Sequence, residues 1–149
     1  MKIDKFLTES PVFAITKTAR TVEVNLARAI ENEGLGFSQA LVLIAVLLED
    51  PNRVSPSRLA ESFSTTRGNI SHCLSVLESR GFIKRKIDRD DARMLKISIR
   101  SEGKQCAMRL ISYFNSLEKR IEKEIGVKSI QEMLNILGQI ENFSRTDAR

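Results

Sequence analysis

Few side chains in this 149-residue chain could carry covalent or metal chemistry. There is one histidine, His72, and there are two cysteines, Cys73 and Cys106. A single imidazole cannot build the His-rich clusters that bind zinc, nor most nucleophile and base pairs that depend on histidine. The cysteines lie far apart with no Cys-x-x-Cys spacing, and each borders an apolar stripe, Ile70 with Leu74 and Ala107 respectively. Both therefore read as reduced, buried, small hydrophobes. Asp88, Asp90 and Asp91 cluster, but Arg89 and Arg93 alternate with them, which is the pattern of a charged turn rather than of a cation site or an acid/base pair. The expectation is a protein that is not an enzyme and holds neither metal nor cofactor.

A different chemistry is concentrated between Thr65 and Ser75. With Ile70, Leu74 and Leu77 turned inward on a helix, the outward positions are Thr66, Arg67, Asn69, Ser71, His72 and Ser75, all able to hydrogen-bond. Exposed helix faces normally carry Glu, Lys and Gln, and short hydroxyls with an amide are poor helix formers. An arginine can read guanine bidentately, an asparagine can read adenine, and hydroxyls such as those of Thr65, Ser71 and Ser75 can hold phosphates. The charge agrees. From Arg53 to Arg100 there are 11 Lys/Arg against 5 Asp/Glu, so the whole basic excess of a chain with net charge +5 sits in its middle third. That is the footprint of a surface that meets nucleic acid.

The elements that must position this face follow from periodicity and punctuation. Ser10-Pro11 predicts a helix start, with Ser10 as cap and an apolar stripe at Val12, Ile15, Ala19, Val22, Leu26 and Ile30. Gly34-Leu35-Gly36 ends it. Ser38 is the expected cap of the next helix, with Phe37 and Val42 as a hydrophobic staple, and the apolar run Leu41–Leu48 marks that helix as buried. Ser55-Pro56 starts a short helix on Leu59, Ala60 and Phe63. Ser64-Thr65-Thr66 is a turn, and the helix carrying the polar face follows to Gly81. The period then changes to two: residues 82–87 and 94–99 read as strands joined by the charged turn 88–93. From Ser101 the helical period returns at Ala107, Leu110, Phe114, Leu117 and Ile121. Gly126 breaks it, and a capping box of Ser129 with Glu132 is expected to start a last helix on Ile130, Met133, Leu137 and Ile140, with residues 144–149 frayed. The fold class is mainly α with a small β-hairpin wing, a winged helix-turn-helix.

Over nearly its whole length the chain resembles the MarR family. Leu77-Glu78-Ser79-Arg80-Gly81-Phe82-Ile83-Lys84-Arg85 is similar to the family's passage from recognition helix to first wing strand. Asp91-Ala92-Arg93 resembles its wing tip, followed at family spacing by Leu95–Ile99 and Gly103. One departure is Arg100, which replaces the threonine that commonly caps the next helix, so Ser101 is expected to cap one residue later. The resemblance implies a single domain over 1–149, with 1–34 and 101–149 as dimerisation helices and 37–100 as the DNA-binding lobe. It implies a homodimer on a palindromic, inverted-repeat operator of double-stranded DNA, more a repressor than an activator. The dimer would join through Val12, Ile15, Phe114, Leu117, Ile121, Leu137 and Ile140. Lys86, Arg89, Asp91 and Arg93 of the wing would meet DNA beside the recognition helix, Arg93 in the minor groove, and Ser55 and Ser57 would touch its backbone. A small-molecule effector, often aromatic or phenolic in the family, would bind between the dimerisation helices and the lobe.

Two alternatives stand beside this reading: a winged-helix protein-interaction module without specific DNA binding, and a redox-sensing regulator acting through Cys73 or Cys106. No apolar run approaches the roughly 20 residues that span a bilayer. The start, Met1 to Glu9, carries acidic residues and lacks a long apolar stretch, so neither a membrane span nor a secretory signal is expected, and the expected location is the cytoplasm.

Overall fold

The computed structural model describes residues 3–50, 54–87 and 95–147. It divides into two compact units, Met1–Leu110 and Ile111–Arg149. The first begins with a helix the periodicity did not announce, α1 (Ile3–Glu9), joined through extended Ser10 to α2 (Pro11–Ala29). Phe6 and Phe13 close this corner with ring centroids 5.4 Å apart. Ser10 stands at the cap position, but its hydroxyl makes no capping bond; its backbone carbonyl takes the Ala14 N–H at 3.0 Å.

After a 3-10 turn (Glu31–Glu33) comes α3 (Phe37–Leu48). Its start corrects the expectation for Ser38, which lies inside the helix. Gly36 is the cap residue, and the Gln39 side chain reaches back to accept the Gly36 N–H at 3.0 Å. The staple positions accordingly fall on Leu35 and Ala40, both buried, rather than on Phe37 and Val42. Two short steps follow as expected: α4 (Pro56–Ser62), whose first turn is capped by Ser55 Oγ accepting the Arg58 N–H, and α5 (Arg67–Ser79), capped by Thr66 Oγ1 accepting the Asn69 N–H.

The hairpin pairs β1 (Ile83–Ile87) with β2 (Leu95–Ile99) antiparallel, Ile83 opposite Ile99 and Arg85 opposite Ile97. Directly opposed residues share a face, so Ile83, Arg85, Ile97 and Ile99 form the inner side, while Lys84, Lys86, Lys96 and Ser98 form the outer one. β1 packs on α5, β2 packs on α3, and α4 and α3 both pack on α5. The core under them is Val42, Leu43, Val46, Leu59, Ile70, Cys73, Leu74, Leu77, Ile83 and Ile97, joined by Cys106, Ala107 and Leu110 from the first turns of α6 (Ser101–Ile125).

The entry to α6 is fixed by close approach. Arg100 donates its N–H to the Phe82 carbonyl at 2.9 Å, and a Cβ on Gly103 would lie 2.2 Å from that same carbonyl oxygen. Arg100, not Ser101, occupies the cap position, because Ser101 is already helical and the Arg100 carbonyl takes the Lys104 N–H.

In the second unit α6 continues to Gly126, which has φ +90°, and α7 (Val127–Asp147) starts at once. Ser129 is therefore inside α7 and the expected capping box does not form; the Gly126 carbonyl takes the Ile130 N–H instead. Nor does α7 fray at Ser144, since Ser144 and Thr146 hydroxyls bond back to the Ile140 and Asn142 carbonyls and Arg145 pairs with Glu141 at 2.6 Å.

Candidate nucleic-acid interface

The helix pair α4 and α5 is joined by a turn whose geometry is set by backbone bonds. The Thr65 N–H reaches the Ala60 carbonyl at 2.9 Å and the Ser64 N–H reaches Glu61 at 3.1 Å, with Ser64 left-handed at φ +48°. This closes α4 in the six-to-one, five-to-two pattern of a Schellman motif. The same pattern ends α5, with the Phe82 N–H on Leu77 and the Gly81 N–H on Glu78; there the left-handed residue is Gly81 at φ +75°, the ordinary choice.

On α5 the sequence-predicted outward residues Thr66, Arg67, Asn69, Ser71, His72 and Ser75 are all exposed, and Thr65 is half-buried at the turn. They do not all remain available. Thr66 Oγ1 is the helix cap, and Asn69 donates one amide hydrogen to Thr65 Oγ1 at 3.0 Å, keeping its carbonyl and a second hydrogen. Ser75 is engaged on both sides: it donates to the Ser71 carbonyl at 2.9 Å and accepts from the Arg85 guanidinium at 3.3 Å. Its hydroxyl ties helix to wing, which takes it out of the expected phosphate-holding set. Ser55 is likewise a cap, and Ser57 beside it is exposed.

Sequence reasoning treated Glu78 and Arg85 only as part of a family pattern, and the geometry supplies their reason. The Glu78 carboxylate accepts the Arg85 backbone N–H at 2.9 Å and the Arg85 Nε at 2.8 Å, closing a part-buried ion pair. It thereby satisfies an outer-edge donor of β1 and anchors the wing to the recognition helix. The backbone N–H and guanidinium of Arg85 hold the Glu78 carboxyl below its usual range. Arg85 is thus a structural cation. Lys86, on the outer face of β1, is exposed. Arg89, Asp91 and Arg93, with Asp88 and Asp90, lie outside the described residues.

The C-terminal end of α5 is also tied. Arg80 donates to the Gly34 carbonyl and lies over the Phe82 ring, 5.1 Å from its centroid. One residue earlier, Glu33 takes both arms of Arg109 at 2.8 Å, and that hydrogen-bonded guanidinium lowers the Glu33 pKa. Cys106 sits beneath this pair. Burial, with the Glu33 carboxylate beside it, pushes the Cys106 thiol up to about 11, and burial likewise raises Cys73. Thiols that are buried and harder to ionise are the unreactive kind, so both observations count against the redox alternative. Among the described residues no three His, Cys, Asp or Glu side chains converge as a metal site, and no helix is long and apolar enough to cross a membrane.

Of the residues assigned to dimerisation, Val12 is 64% exposed and Ile15 half-buried in the first unit; in the second, Phe114, Leu117 and Ile140 are half-buried, while Ile121 and Leu137 are exposed. No residue of α2 is buried, nor is any described residue of α7.

A tri-helical core with a tight turn, an exposed polar second helix and a hairpin tied to its side is a winged helix-turn-helix. The family model described as Winged helix DNA-binding domain matches residues 40–121, and the chain belongs to that family. Among curated relatives, the HTH-type transcriptional regulator PapX of Escherichia coli is 35% identical over 88 residues, 59% of this chain and 54% of PapX. The chain thus spans about half the length of that relative. Among solved structures, the MepR–DNA complex of Staphylococcus aureus has a TM-score of 0.79 at 15% identity, covering 89% of this chain and 95% of MepR. CouR from Rhodococcus jostii RHA1, bound to p-coumaroyl-CoA, has a TM-score of 0.78 at 21% identity, covering 90% of this chain and 93% of CouR. These neighbours are MarR-family regulators, and the resemblance read from the sequence holds for the fold. The family matched is that of a DNA-binding domain.

Proposed function

We propose that this chain is a sequence-specific DNA-binding transcriptional regulator, a repressor working as a homodimer on an inverted repeat. The observation that carries the reading is the outward face of α5, where Arg67, Asn69, Ser71 and His72 stand exposed on a helix held rigidly by caps and ties at its ends and side. A major groove about 12 Å wide admits such a helix, and Arg67 and Asn69 in its first turn are placed to read base edges. Thr65, Ser71 and Ser57 would meet phosphates, as would the hydroxyl hydrogens that the capping oxygens of Thr66 and Ser55 leave free to donate, and Lys86 with Arg89 and Arg93 would extend the contact along the wing, Asp91 steadying Arg93.

The dimer rests on apolar surface that one copy leaves open. On α7, Met133, Leu134, Ile136, Leu137 and Phe143 are exposed, and Val12, Phe13 and Val22 are exposed on α2. Exposed apolar side chains of this kind on each unit are what a second copy would cover. A cavity of about 270 Å³ in the first unit, walled by Glu23, Phe37, Leu41, Phe63, Thr65 and Asn69, offers room for a small effector. Because Thr65 and Asn69 form its wall, filling it would disturb the residue proposed to read adenine. MepR bound to DNA and CouR bound to p-coumaroyl-CoA support the DNA and effector halves of this reading; the location that goes with it is the cytoplasm.

The test is selection of bound duplex from a random library, followed by affinity across a salt series. Enrichment of an inverted repeat with half-sites about one helical turn, roughly 10 bp, apart, and a steep salt slope, are expected. No enrichment with a flat slope would favour the protein-interaction module.

A further inference from the structure

Among the described residues nothing requires Gly68 to be glycine. It lies in the first turn of α5 and its φ is not among the positive ones, unlike Gly34, Gly81 and Gly126. Nor is it crowded: a Cβ there would meet only Thr66 Oγ1, at 3.8 Å, an ordinary contact, whereas one on Gly103 would strike the Phe82 carbonyl at 2.2 Å. Apart from proline, glycine is the residue least suited to a helix. The site therefore carries a cost that nothing among the described residues returns.

Its place on the helix suggests where the reason lies. At 100° per residue Gly68 stands roughly 160° round from buried Ile70, at the middle of the outward face. Ser71, His72 and Ser75, three, four and seven residues on, continue the same face, and all are exposed. Arg67 and Asn69 flank it.

We propose that Gly68 is a close-approach residue for DNA: its missing side chain lets the first turn of α5 sit against the base edges, bringing Arg67 and Asn69 within reach. This rests on the DNA-binding reading above. A methyl at the centre of the contact would hold the helix off by about its own radius, and hydrogen bonds to bases do not survive such a shift.

The experiment uses the full chain and the duplex recovered from the random library, with an unselected duplex beside it. Gly68→Ala should raise the melting temperature by roughly 1–4 °C, because alanine suits the helix and restricts the unfolded chain. It should weaken the selected duplex by roughly tenfold, the scale of one lost base contact, and leave the unselected duplex nearly unchanged. Gly68→Met, another good helix former, should weaken it further. A stabilised Gly68→Ala protein that binds the selected duplex within about twofold of wild type overturns the proposal, and so does equal loss on both duplexes. If the wild-type chain retains no duplex at all, the DNA-binding reading falls first and this one with it.

Discussion

Removing the Glu78 carboxylate tests whether the wing is anchored as the geometry indicates. Glu78 accepts two hydrogen bonds from Arg85, one from its backbone N–H and one from Nε, at 2.9 and 2.8 Å, and the pair's side chains are 35% and 26% exposed. Hydrogen bonds to a charged group are worth about 1.5–3 kcal/mol each. Water reaches this pair and screens it, so a discounted loss of about 1–2 kcal/mol for Glu78→Ala is the working figure. In a chain of this size that lowers Tm by roughly 2–8 °C, measured at fixed protomer concentration because the proposed dimer makes Tm concentration-dependent. The pH dependence follows from the lowered pKa of Glu78. A carboxyl whose folded pKa lies below the ordinary 4.5 contributes its stability above that value and loses it as pH falls through the folded pKa. The gap between wild type and Glu78→Ala should therefore be full near neutrality and close in acid. Operator affinity supplies an independent reading. Charge alone predicts that losing a carboxylate near phosphates tightens binding, whereas a loosened wing weakens it. Unchanged Tm with tighter binding would refute the anchor.

Three further outcomes can be measured. Arg67→Ala and Asn69→Ala should each cost about 1–3 kcal/mol of operator affinity and relax preference at particular bases, as read by repeating the selection with each variant; equal weakening on all sequences would count against base readout. Ser64→Gly should raise stability in denaturant melts by about 0.5–1 kcal/mol, since serine at φ +48° carries strain that glycine lacks, less the freedom glycine adds to the unfolded chain; a loss of stability would show that Ser64 does something its backbone does not reveal. Ending the chain at Gly126 should abolish dimerisation in sedimentation and leave a poorly folded protein, while a stable monomer of the full chain at micromolar concentration would sink the proposed interface.

Where local signals were strong, the sequence was enough to place the elements. The inward triad Ile70, Leu74 and Leu77 is buried, β2 alternates as its residues require, and Pro56 and Gly81 mark their boundaries. It misled at helix starts, because several side chains can compete for one set of free N–H groups. Ser38 and Ser129 have the right type, yet Gln39 and the Gly126 carbonyl supply the partners. α1 escaped notice because seven residues are too few to display a period. The polar face of α5 was legible as a set of residue types. That Ser75 and Arg85 serve each other was not, since the pair forms only once β1 folds back on the helix.

The ties on α5 share a consequence that no single one has. Thr66 caps its first turn, Arg80 fastens its last to Gly34, and Glu78 with Ser75 binds its flank to the wing, while Ile70, Cys73, Leu74 and Leu77 fill the core side. Each tie removes a way for the helix to slide, tilt or roll, and each uses polar groups near the helix ends or along one edge. The face left over is the one carrying Arg67, Gly68, Asn69, Ser71 and His72. A helix so restrained meets a ligand with its ordering entropy already lost on folding, so contacts on that face count more fully toward affinity. Restraint and exposure are thus complementary, and together they make specific readout by a helix of 13 residues physically reasonable.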